Sequence, residues 1–131
     1  MVGDDPQQDE DEHVKRKLGA VWQRYARANA DRARVCQLRG DEFGASLCTA
    51  RAEIRSAAAT LWAQSADARD AAREMHRRAT ALWQSDLPIV GFDAAAVRYT
   101  EARTWQDCAR AIDPDLPEVQ PLLTWDEPTA T

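Results

Sequence analysis

Two titratable residues stand where helical spacing puts apolar side chains: Glu101, between Val97 and Trp105, and His76, next to Met75. A carboxyl and an imidazole drawn into one apolar setting could pass a proton between them, and perturbed titrating groups cluster at functional sites. The surrounding sequence does not build on that chemistry. It holds no Gly-rich phosphate loop, no HExxH and no nucleophile elbow. Glu74-Met75-His76 also lacks the Glu-x-x-His spacing of carboxylate-bridged metal sites in bundles. An enzyme with a buried Glu/His site therefore ranks third among the functional readings, and no catalytic residue, metal or cofactor is expected. Glu101, Asn29 and Ser65 read as polar residues that fix helix register, with Glu101 paired to Arg51 or Arg55.

Cys36, Cys48 and Cys108 are odd in number and form no CxxC. That argues against a disulfide framework and against a thiolate zinc site. Cys36 and Cys108 fall on apolar faces and are expected to be buried thiols.

Arginine spacing carries more information. Arg51, Arg55, Trp62, Arg69 and Arg73 fall along one edge of an apolar stripe. Arg and Trp are enriched at interface hot spots, and guanidinium forks match carboxylates. These five residues are expected to bind a partner protein. Arg16, Arg24, Arg27 and Arg34 form a second row, on the outer face of the preceding helix, which could bind anions such as nucleic-acid phosphates. A third candidate is the apolar group Leu122, Leu123 and Trp125 in the Pro-rich tail, which either straps across the fold or docks on a partner.

The elements that carry these residues are helices. Leu47, Ile54, Leu61, Ala68, Met75 and Leu82 recur every seventh residue, which predicts one unbroken, coiled-coil-like helix over 42–85. A helix over 12–39 has Val14, Leu18, Val21, Tyr25, Asn29, Ala33 and Cys36 on its apolar face, with Trp22 at the flank. Gly40 ends it and Asp41 caps the next, so the two form an antiparallel hairpin. Gly44 weakens the start of the second helix, which could begin as late as Ser46. Asp86-Leu87-Pro88 stops it, and Asp93 caps a third helix over 94–112. The expected fold is all-α: a hairpin with one very long helix, and a third helix packed on it, like a three-helix bundle. A disordered acidic tail (1–12) precedes the helical domain (13–112), and a Pro-rich strap (113–131) follows it. Three helices cover such a stripe poorly, so a homodimer is expected.

Charge is segregated. The chain of 131 residues has a net charge of −5, yet all seventeen Lys and Arg lie between His13 and Asp113. Acidic ends around a basic body keep a protein soluble, or mask a basic surface until an anionic partner displaces them. No apolar run approaches the roughly 20 residues that span a bilayer. The N-terminus lacks the basic and apolar regions of a signal peptide, which makes a cytoplasmic protein the expectation. Abundant Ala and Arg with only Lys15 and Lys17 suggest a high-GC genome, of a bacterium or phage. The leading expectation is a non-enzymatic protein–protein interaction module: an adaptor, an immunity or antitoxin-like factor, or a phage-encoded modulator. The alternative is a nucleic-acid-binding protein masked by its acidic termini.

Overall fold

The computed structural model describes residues 6–84 and 91–118. Four helices account for most of them: α1 (Pro6–Leu38), α2 (Glu42–Gln64), α3 (Ala68–Trp83) and α4 (Phe92–Ile112). There is no strand among the described residues. None of the described helices is long and apolar enough to cross a membrane.

The α1–α2 connection follows directly from its residues. Gly40 takes φ 77°, a left-handed conformation that costs glycine nothing. The Asp41 N–H then donates to Cys36 O at 2.8 Å and the Gly40 N–H to Gln37 O at 3.0 Å. This is a Schellman ending, which satisfies carbonyls the helix leaves open. The Asp41 carboxylate accepts from the Gly44 N–H at 2.8 Å and so caps α2. A Cβ at residue 44 would collide with that carboxylate. Gly44 thus does not delay the helix to Ser46. It makes room for the cap, and α2 begins at Glu42.

The long helix expected over 42–85 is two helices. Ser65 is extended, with φ −84° and ψ 137°, and the Asp67 side chain accepts from the Arg69 N–H at 2.8 Å to start α3. The chain reverses here. Trp83, near the end of α3, meets Tyr99 early in α4 at 4.9 Å, and Arg78 lies 4.9 Å above the Trp105 ring, so α3 and α4 are antiparallel. Phe43 meets Phe92 at 6.0 Å, while Trp62 and Ile112 line one cavity, so α2 and α4 run parallel. The helices pack in the order α1, α2, α4, α3.

The core explains the reversal. Ala71, Ala72, Met75, Ala79 and Trp83 of α3 are all buried, together with Ala102, Trp105, Cys108 and Ala109 of α4 and Ala58 and Trp62 of α2. A straight helix would leave the α3 set in water, and burying one large apolar side chain stabilises by roughly 1.5–3 kcal/mol. Within one chain, α4 covers the Met75–Trp83 part of the stripe.

Two further boundaries differ. α1 starts at Pro6, so residues 6–12, assigned to a disordered tail, are helical; proline suits a first helical turn. α4 starts at Phe92 with Gly91 rather than Asp93 at its N-cap. The buried face of α1 is also rotated from the expected one. Trp22 (1% exposed), Ala26 and Ala33 face α2, while Val14 and Tyr25 are 58% and 51% exposed. Small Ala residues allow close helix approach, and the largest insertion is Trp22, edge-on to Trp62 at 6.3 Å. After α4, Leu116 packs against the core; residues 119–131 of the expected strap, including Leu122, Leu123 and Trp125, lie outside the described residues.

Candidate functional site

The reversal at Ser65–Asp67 takes apart the expected binding edge. Arg51 and Arg55 stay on α2, and Arg69 and Arg73 move to α3. Arg73 lies 3.8 Å from Asp70 in an exposed pair, and Arg69 follows the α3 cap. Trp62, expected as the exposed anchor of that edge, is 6% exposed. Its indole N–H donates to Lys15 O at 2.8 Å, and the Lys15 ammonium covers its ring at 5.7 Å. A tryptophan held this way is core, since its polar handle is satisfied inside the fold.

Arg51 and Arg55 instead join residues of α4. A cavity of about 150 Å³ between the parallel helices is lined by Arg51, Arg55, Tyr99, Thr100, Arg103, Thr104 and Asp107. The α4 residues are one helical turn or so apart, so they form a strip facing α2. The Thr104 hydroxyl donates back to Thr100 O at 2.7 Å, which fixes the buried wall. Arg55 reaches across two helices. Its guanidinium lies 5.1 Å above the Tyr25 ring of α1 and donates to Cys108 Sγ at 3.5 Å. Burial pushes the Cys108 thiol up to about 11, against the opposing pull of Arg55. The thiol therefore stays protonated and unreactive near neutral pH. Arg103 bonds Asp107 at 3.3 Å, and that carboxylate raises its pKa. Three guanidinium groups against one carboxylate leave the notch positive, between two half-exposed tyrosines, Tyr25 and Tyr99. Such a surface can fork onto carboxylates and offer rigid aromatic contact area.

On the other side of α2, Gln37, Glu42, Ser46, Thr49, Glu53, Val97 and Glu101 line an open groove of about 570 Å³. Glu101 belongs here, and not with Arg51 or Arg55 as expected. Burial raises its pKa first, then the Glu53 carboxylate, with Arg98 acting the other way. The helical phase of Glu101 was readable; the side of α2 it faces was not. His76 lies elsewhere, with Nε2 3.0 Å from Pro117 O beyond α4. The structure thus does not bring the Glu/His pair together. Among the described residues, no group of three or more His, Cys, Asp and Glu side chains is placed to hold a metal ion.

Arg16, Arg24, Arg27 and Arg34 are exposed along α1, with Arg34 3.2 Å from Asp31. Tyr25, Tyr99 and Arg103 were not singled out from the sequence. Tyr99 lies on the edge of α4 away from its apolar stripe, and Arg103 looks like a solvated charge until α2 is laid beside it. No family model, curated protein or solved structure matches this chain.

Proposed function

We propose that the chain is a non-enzymatic interaction module that binds an acidic surface of another protein through the notch between α2 and α4. The observation that carries the reading is the convergence of Arg51, Arg55 and Arg103 on one cavity flanked by Tyr25 and Tyr99. Arginine and tyrosine are among the residue types enriched at binding hot spots, and Arg55 is partly held in place by its stacking on Tyr25. Guanidinium donors of this kind contribute most when the partner supplies carboxylates in fork geometry.

The test is a comparison of two charge-reversed variants with the wild-type chain, each immobilised and exposed to the same host lysate. Arg51→Glu with Arg103→Glu is expected to cut recovery of a specific partner at least about tenfold, the equivalent of 1.4 kcal/mol. Circular dichroism should stay helical. Arg16→Glu with Arg27→Glu alters the outer face of α1 and is expected to leave recovery unchanged. Equal recovery by the first variant sinks the reading.

The second reading, nucleic-acid binding, draws on the exposed Arg16, Arg24 and Arg27 of α1. It predicts retention on DNA that falls steeply with salt and is lost in the second variant. The chain's net charge of −5 weighs against it.

A further inference from the structure

The three cysteines differ in a way their spacing does not show. Cys108 is fully buried beside Arg55, but Cys36 and Cys48 lie opposite each other in the register of the α1–α2 hairpin: Trp22 meets Trp62, and Cys36 follows Trp22 by fourteen residues as Cys48 precedes Trp62 by fourteen, about four helical turns on each helix. Cys36 sits in the last turn of α1, half-buried, and Cys48 lies buried in the second turn of α2. The Schellman ending at Gly40 and the Asp41 cap fix the register of the two helices at this level. The neighbouring Ala33 and Ala45 are buried, so small side chains let the backbones approach closely here. A disulfide needs Cα atoms roughly 4.4–6.8 Å apart and Cβ vectors that converge. Alanine at the seam brings the two backbones close, and a Cβ on α1 leans away from the turn while one on α2 leans toward it, so the two side chains converge.

We propose that Cys36 and Cys48 are a redox-sensitive pair that small-molecule disulfides of the glutathione class convert to an intramolecular disulfide locking the α1–α2 hairpin. Cys36 is the more accessible thiol. Its thiolate attacks one sulfur of the small disulfide, forming a mixed disulfide and releasing one small thiolate. The Cys48 thiolate then attacks the Cys36 sulfur, forming the Cys36–Cys48 bond and releasing the second. The protein gives up two electrons and two protons, and one small disulfide becomes two thiols. Burial, then the Asp41 carboxylate and Cys48, raises Cys36 above its ordinary value, while Arg39 opposes. The first step therefore quickens as pH rises.

The full-length chain is incubated with oxidised glutathione and digested with trypsin. The expected product links the peptide VCQLR, which holds Cys36, to GDEFGASLCTAR, which holds Cys48; each contains a single cysteine. The intact mass should fall by two hydrogens without dimer formation. Melting should shift up by roughly 10 °C, because the bond closes a short loop in the unfolded chain, and dithiothreitol should reverse the shift. In Cys36→Ser, Cys48 should stay unmodified under native conditions, and in Cys48→Ala, Cys36 should stop at the mixed disulfide. A mixed disulfide at Cys36 that persists in the wild-type chain, or linkage through Cys108, overturns the proposal.

Discussion

Helix α1 and the stretch Glu42–Trp83 read alike as long amphipathic helices, yet α1 runs unbroken for 33 residues while the other folds back on itself. Both contain polar residues that could end a helix. In α1, Asn29 donates to Tyr25 O at 2.8 Å and Asp31 pairs with Arg34, so both are satisfied within the helix. At the reversal, Ser65 donates to Leu61 O, and Asp67 instead accepts from the Arg69 N–H that opens a new helix. The helices differ further in what continuation would cost. In α1 the large side chain that the core takes, Trp22, is buried without a break, while Val14, Tyr25, Val35 and Leu38 stay exposed. The second stretch carries Met75 and Trp83, which α4 covers only after the chain turns back. Local polar chemistry permits a break in either helix, and burial selects one.

The largest effect should come from the residue that joins the two helices. Trp62→Ala removes the edge contact with Trp22 and the bond to Lys15 O, and is expected to cost about 3–5 kcal/mol by urea denaturation. A loss below about 1 kcal/mol would place Trp62 on the surface and restore the straight binding edge. Trp22→Ala should cost a similar amount, and a double mutant should lose less than the sum, because the two rings contact each other.

Capping and burial separate at the reversal. Asp67→Ala removes a cap worth about 1 kcal/mol but leaves Met75 and Trp83 seeking the core. The variant should lose about that much, keep the wild-type elution volume and keep its buried tryptophan fluorescence. Conversion to a dimer of extended helices would mean that the cap, and not burial, sets the turn.

Two glutamates should respond to pH in opposite directions. Glu74 is held at about 2 by its hydrogen bond to Arg77, with Arg78 adding to it. Its contribution is present above the ordinary value of 4.5 and is lost as pH falls toward about 2. The pair is partly solvent-screened, so Glu74→Gln should flatten that window by only about 0.2–1 kcal/mol. Glu101 has a raised pKa, so the folded state holds its proton more tightly than the unfolded chain does. Its contribution is present below 4.5 and is lost as pH rises through the folded value. Glu101→Gln should therefore raise the melting temperature slightly at neutral pH, where an Arg-paired carboxylate would lower it. Melting curves of both variants across acid and neutral pH check the two signs.

What the sequence determined by itself is local. The all-helical class follows from periodicity and from a scarcity of helix breakers between the turns. The RGDEFG turn, the Asp41 cap and the pairing of α1 with α2 follow from backbone conformations that only certain residues satisfy. Tertiary structure decided where the Glu42–Trp83 stretch turns, because a seven-residue stripe says that a face must be buried but not what will bury it. It also decided which arginines converge. Arg51 and Arg55 meet Arg103 and Tyr99, and not Arg69 and Arg73, because α3 turns back and α4 takes its place beside α2. The juxtaposition of Cys36 and Cys48 belongs with the hairpin: the residues are twelve apart in sequence, and the register that sets Trp22 against Trp62 sets one cysteine opposite the other.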